Sequence, residues 1–379
     1  MGCPVALELD LHEVTIIIPT YQRPTFLLRN LSFWSSTNVK IIVADGSPTS
    51  ELSFLENGKH SVEYFRTQES MELRLATAAS RVKTKYAIIS GDDEFMLPKS
   101  ISILKDFLNL NSDYVCCIGR CIAFEKRESS NSKSPFLLLR PDKPGQANHQ
   151  VNQTNSIERI SYHISNYQVS TFYALHRSKN LASILNRVST IKISSPYGAE
   201  LFFETASAES GKSRVLSIPS WLRSSENTPV RSLIGDISLA DWKRDFYPEV
   251  ESAIHEVFGR DEDTEKQVGI LINKRIDDQK TELNFLNWSK KFFKDCRTFL
   301  HYKRRGAVEK LAGQILEENK TGSPSRILKI LTWFQLSYFL TSSNHSFGSL
   351  KNSGICLDQD VGLREAFEFI LTNNQVGRV

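Results

Sequence analysis

The chain has 379 residues, 40% of them hydrophobic and 24% charged, which suffices for a core of roughly two to three hundred residues and a second, smaller unit. A formal net charge of +4, from 47 basic and 43 acidic residues, argues against a dedicated nucleic-acid binder. Six cysteines (Cys3, Cys116, Cys117, Cys121, Cys296, Cys356) show neither paired CxxC spacing nor a nearby histidine set, which argues against zinc and a disulfide framework and for thiols in a reducing compartment.

The first residues, MGCPVALELDLHEV, have no positive start and no apolar run of signal-peptide length, and Ala6 stands where a myristoylation motif wants Ser or Thr. The expectation is a cytosolic protein. From there, apolar runs of strand length alternate with helical patterns: VTIIIP (14–19), TFLLRNLSFW (25–34), VKIIVAD (39–45), VEYFR (62–66), a helical 70–83, YAIIS (86–90), ISILKDFLNL (101–110) and YVCCIGRCIAF (114–124). Val/Ile-rich runs suit strands buried on both faces, and their alternation with helices predicts an α/β fold with a mostly parallel, Rossmann-like sheet flanked by helices. In such sheets ligands bind at the carboxyl ends of the strands. Thr20, Asp45 and the triplet Asp92-Asp93-Glu94 all fall there.

Residues 125–156 are polar, rich in Ser, Asn and Pro, and long for a connection, so they read as a mobile excursion near the site. A helix or two over 157–190, the segment 194–214 and a last strand VLSIPSWLR (215–223) follow, with SSENTPVRSLIGD (224–236) as a boundary. This predicts a domain over 1–235 and a mainly α-helical C-terminal region over 236–379. ASAESGKS (206–213) ends like a phosphate-binding P-loop, but Ala206 replaces the first glycine and a helical stretch precedes it where a strand is required. In the C-terminal region, ILKILTWFQLSYFL (327–340) is too short to span a bilayer.

TIIIPTYQRPTFLLRNL, IIVADGS and RLATAASRVKTKYAIISGDDEF together resemble the N-terminal half of family 2 glycosyltransferases with the GT-A fold, in motif order and spacing. NYQVSTFYALHRSKNL (166–181) is similar to the acceptor-side portion of bacterial surface-polysaccharide transferases. The resemblance covers about residues 13–225. It implies a nucleotide-sugar donor, a glycan or lipid-linked glycan acceptor, and Mn²⁺ or Mg²⁺ as cofactor.

The residue types suit that chemistry. A divalent cation neutralises the charge that develops on a diphosphate leaving group, and hard cations want carboxylate oxygen. If the triplet continues a strand, Asp92 and Glu94 point the same way and hold the metal, while Asp93 faces the sugar or ribose; the family's usual spacing is Asp-x-Asp, so Asp93 remains an alternative ligand. Asp45 matches the family aspartate that accepts from the base, favouring a UDP-sugar; the alternative is a turn aspartate before glycine. Thr20 and Arg23 are candidates for contacts to the nucleoside and to phosphate, and Tyr21 either stacks on the base or is plain packing beside the core strand. Arg223 is the basic residue closest to where the family often places one beside the diphosphate. The resemblance places the general base of an inverting transfer at Glu200, with Glu204, four residues on and on the same helical face, as runner-up and a plain helix-surface acid as the alternative.

NWSKKFFKDCRTFLHYKRR (287–305) projects an aromatic face and a basic face as a helix, with seven basic residues against one acidic between Lys290 and Arg305. Packing against the transferase domain is preferred, and peripheral contact with an anionic membrane is the alternative. Two other functions stay open: a sugar-phosphate nucleotidyltransferase, whose glycine-rich phosphate loop is missing from IIIPTYQRPTF, and a non-catalytic glycan-binding module.

Overall fold

The computed structural model describes residues 10–49, 62–127, 136–141, 149–226, 237–278 and 362–372. The chain divides into two compact units, one of residues 1–275 with 346–379 and one of residues 276–345. The basic aromatic segment 287–305 and the apolar segment 327–340 lie outside the described residues.

The first unit is built on a mixed sheet whose described part has ten strands. They are β1 (Val14–Thr20), β2 (Lys40–Asp45), β3 (Val62–Arg66), β4 (Tyr86–Ile89), β5 (Phe95–Met96), β6 (Tyr114–Arg127), β7 (Phe136–Pro141), β8 (Gln150–Val151), β9 (Leu175–Arg177) and β10 (Lys212–Ser224). The strand order is β3-β2-β1-β4-β9-β6-β10-β5, with β7 on β6 and β8 on β10. The β3-β2-β1-β4 half is parallel throughout, as is the β6–β10 pair. Strands β5 and β9 run antiparallel to their neighbours.

The helices are α1 (Pro24–Trp34), α2 (Met71–Arg81), α3 (Pro98–Leu110), α4 (Ser156–Ser165), α5 (Ser178–Ser189), α6 (Pro196–Ser210), α7 (Leu239–Asp245), α8 (Tyr247–Phe258), α9 (262–278) and α10 (Leu363–Thr372). The run over 157–190, expected as helix alone, contains β9 between α4 and α5. Its three residues are too few for periodicity to register. The polar excursion of 125–156 is also partly structured, since Ile122–Arg127 pair antiparallel with β7 and Gln150–Val151 pair with β10. Helix α6 runs to Ser210 and joins β10 after Gly211, so GKS lies at a helix-to-strand junction and not in a phosphate loop.

Alternation along the strands supplies two cores. Met96, Cys121 and Trp221 enter the larger one with Ile16, Ile18 and Ile88. Their neighbours Phe95, Ile122 and Leu222 enter a second core that α10 closes with Leu363, Ala366, Phe367 and Ile370. The helix nearest the C-terminus thus completes the sheet's second face. Cys116, Cys117 and Cys121 are buried, and burial pushes the thiols of Cys116 and Cys117 well up. Among the described residues no helix is long and apolar enough to cross a membrane.

Candidate active site

The carboxyl ends of β1, β2 and β4 form one rim. Helix α1 begins at Pro24 directly after β1, and the turn that permits this places Gln22 at φ 55°, its N–H bonded to Ser47 Oγ at 2.8 Å. A non-glycine residue in the left-handed region is uncommon and strained. Here it aims the next side chain, Arg23, across the rim. Arg74 of α2 binds the rim from below, donating to the carbonyls of Thr20 (3.1 Å) and Ala44 (2.8 Å). Its guanidinium lies so close to Gly46 that a Cβ there would come within 2.5 Å of it, so the glycine of ADGS is a packing requirement.

The triplet is not the continuation of β4. Residues Gly91–Glu94 form a turn closed by Glu94 N–H on Gly91 O (3.2 Å), and buried Asn30 of α1 clamps it by donating to Gly91 O (3.2 Å) and Glu94 O (2.6 Å). Strand alternation therefore does not pair Asp92 with Glu94. Arg23 instead forks over the two adjacent aspartates, Nη1 to Asp92 Oδ1 at 3.1 Å and Nη2 to Asp93 Oδ2 at 2.7 Å. Asp92 also accepts from Thr20 Oγ1 at 2.8 Å, so both its oxygens are engaged. Burial pushes its carboxyl up to about 7, against the pull of Arg23 and with the push of Asp93. Glu94 reaches to β10, accepting from Trp221 Nε1 at 2.9 Å and lying 4.0 Å from Arg223 Nε.

Above this turn lies a cavity of about 280 Å³. It is lined by Thr20, Tyr21, Arg23, Asp92, Asp93 and Glu94, by Arg223 and Ser224, by Glu200, Tyr173 and Tyr197, and by the apolar Leu75, Leu185, Val188 and Phe203. A smaller cavity of about 220 Å³ adjoins it, sharing Thr20 and Arg23 and adding Asp45, Ser47 and Gln22. Asp45 sits on its wall in an Asx turn, Oδ1 accepting from Ser47 N–H (2.8 Å) and Oγ (2.5 Å) and Oδ2 from Tyr64 O–H (2.7 Å). The turn-aspartate alternative is thus the local geometry of Asp45, at the edge of a cavity.

The two glutamates of α6 part company. Glu200, in the first turns after Pro196, lines the large cavity and accepts from Tyr167 O–H at 3.3 Å. Glu204, one turn deeper, is fully buried and lines neither cavity. It accepts from the N–H groups of Ser170, Thr171 and Phe172 at 2.9–3.2 Å and pairs with His163 Nε2 at 3.0 Å. Burial raises its carboxyl, but the bonds from His163 and these N–H groups outweigh that and hold it below its ordinary value. The expectation of Glu204 as runner-up base is corrected: the shared helical face passes from cavity to core within one turn, because the segment between α4 and β9 covers the second carboxylate.

Two site groups carried no signal in the sequence. Arg74 reads as an ordinary residue of an amphipathic helix. Tyr173 stacks on Trp221 with ring centroids 4.2 Å apart at 26°, a partnership across 48 residues that no local pattern announces.

For a divalent cation, the donor set is suited to a hard ion and incomplete by itself. Among the described residues no three His, Cys, Asp or Glu side chains converge on one point. Asp93 and Glu94 offer carboxylates on the cavity wall, and Mg²⁺ or Mn²⁺ is commonly held by one or two carboxylates with phosphate oxygens and water. The residues fit a cation that arrives with a diphosphate.

No protein-family model matches the chain, and no curated protein matches it in sequence. Among solved structures it is similar to S. aureus TarS 1-349, at 13% identity over 69% of this chain and 71% of that one, TM-score 0.43. The same protein in complex with UDP-GlcNAc gives 13% identity over 69% and 72%, TM-score 0.46. In complex with UDP it gives 12% over 67% and 69%, TM-score 0.41.

Proposed function

We propose that the chain is a GT-A-type, metal-dependent, inverting glycosyltransferase that moves a sugar from a nucleotide donor, preferably a UDP-sugar, to a hydroxyl of a glycan acceptor in the cytoplasmic steps of surface-polysaccharide synthesis. The observation that carries this reading is the convergence on one cavity of the β1 rim, the acidic turn and Glu200, groups drawn from positions 20 to 200. In this reading the nucleoside occupies the smaller cavity beside Asp45 and Thr20, and the diphosphate lies toward Arg23 and Arg223. Asp93 and Glu94 would hold the cation, which supplies charge neutralisation for the leaving diphosphate.

Glu200 takes the proton of the acceptor hydroxyl as its oxygen attacks the anomeric carbon. The new C–O bond forms while the bond to the diphosphate breaks, and the electron pair leaves with the phosphate oxygen. Tyr167 orients Glu200 by its hydrogen bond, and its own ring is held by the guanidinium of Arg275, 4.9 Å from the ring centroid. The apolar wall around Phe203 lowers the local polarity in which that proton moves.

The test is nucleotide release from a panel of nucleotide sugars, together with thermal stabilisation by UDP, GDP and CDP with and without Mn²⁺. A nucleotide at a hundred times its dissociation constant adds about 2.7 kcal/mol. Stabilisation by UDP that needs Mn²⁺, with UDP released from one sugar donor, is the expected result. Full turnover in EDTA overturns the metal assignment, and no turnover with any donor overturns the transferase.

A further inference from the structure

We propose that Tyr173 is a specificity-determining residue whose hydroxyl hydrogen-bonds the glycosyl group of the donor, between the acidic turn and Glu200. The inference rests on the transferase reading and goes further by naming the group that reads the sugar.

Three observations carry it. Tyr173 lines the large cavity, and among the described residues its hydroxyl makes no hydrogen bond. A phenol in a protein pocket ordinarily finds a partner, so a hydroxyl without one is a place for a ligand's polar group. The ring is also held firmly. It stacks on Trp221, meets Phe172 edge-on at 4.9 Å, and Trp221 is itself anchored by its bond to Glu94. Behind Phe172, the buried Glu204 takes the N–H groups of residues 170–172, which fixes the backbone leading into Tyr173. The position thus has the second layer of support that a recognition group requires.

The third observation is location. Tyr173 lines the same cavity as Asp93, Glu94 and Glu200, and its stacking partner Trp221 donates to Glu94. The cavity Tyr173 lines is shared with both the triplet proposed to face the diphosphate and the glutamate proposed to reach the acceptor. In a nucleotide sugar the part that spans those two ends is the sugar itself. A neutral O–H both donates and accepts, which suits a sugar hydroxyl.

The experiment compares Tyr173→Phe, which keeps the stack on Trp221, with the unmodified chain. A contact to the sugar alone predicts that kcat/KM for the UDP-sugar falls about tenfold, the effect of one lost hydrogen bond to a bound ligand. Calorimetric affinity for UDP, which lacks the sugar, and the melting temperature stay within experimental error. With a set of deoxy-sugar analogues, one loses the same tenfold in the unmodified chain and no more in the variant. The proposal is overturned if kcat/KM is unchanged, if UDP affinity falls as much as turnover does, or if every analogue keeps the full difference between the two proteins. Failure of the unmodified protein to turn over any nucleotide sugar removes the transferase reading and this proposal with it. Normal turnover with an indifferent Tyr173→Phe removes this proposal alone.

Discussion

Trp221 donates its indole N–H to Glu94 Oε2 at 2.9 Å, across 127 positions of sequence. The bond joins the acidic turn after β4 to the antiparallel neighbour of β5, and it orients the one member of the triplet that Arg23 does not grip. Trp221→Phe keeps most of the aromatic surface and deletes the donor. Stability should fall by about 1 kcal/mol, and Mn²⁺ should be needed at higher concentration for half-maximal turnover. Measuring the Mn²⁺ titration beside the melting curve tests this. An unchanged titration with normal turnover would show that Glu94 holds no cation.

The two glutamates of α6 make opposite predictions. Glu200→Gln should leave the melting temperature near its starting value and slow transfer by two or more orders of magnitude. Glu204→Ala should be a folding defect of about 3–5 kcal/mol, since it leaves three N–H groups, two of them buried, and buried His163 without their acceptor. Chemical denaturation of both variants beside their turnover decides it. A stable but inactive Glu204→Ala would return the catalytic role to the deeper residue.

Asp92 makes stability depend on pH in a stated direction. Its folded-state pKa, about 7, lies above the ordinary 3.8, so the unfolded chain ionises first as pH rises. The contribution of Asp92 is fully present below about pH 4 and is lost progressively up to about pH 7. Asp92→Asn removes that loss. Relative to the unmodified chain, the variant should be stabilised more at pH 8 than at pH 4.5, by on the order of a few kcal/mol, while its activity falls because Arg23 and Thr20 lose an anionic partner. Melting temperatures at the two pH values give the answer, and an offset that does not change with pH would mean that Asp92 ionises normally.

Helix α10 belongs to the core under the site. Phe369 packs edge-on against Phe33 and Phe95 at 5.3 and 6.1 Å, and Phe367 is buried with Leu222. Phe367→Ala should cost about 3–5 kcal/mol. Because Phe95 directly follows Glu94, the same change should weaken nucleotide-dependent stabilisation. A variant with an unaltered denaturation midpoint would place α10 outside the folded unit.

Much of this architecture was legible in the residues alone. Apolar runs such as VTIIIP and KIIVAD can satisfy their backbone and bury both faces only as inner strands of a covered sheet. Their alternation with helices therefore determined the layers, and with them the rim on which Thr20, Asp45 and the acidic triplet stand. Helical periodicity put Glu200 and Glu204 on one face of α6, but it could not show that the second lies in the core while the first lines the cavity. The triplet lies in a turn, where no periodicity operates and distant groups set the direction of each carboxylate: Arg23 for Asp92 and Asp93, Trp221 for Glu94. In the same way the covering segment over 170–172 turned Glu204 from a second candidate base into a buried anchor, and packing against Trp221 brought Tyr173 into the cavity. These placements belong to the tertiary structure because each depends on the free energy of a contact between residues far apart in the chain, to which local propensity is blind.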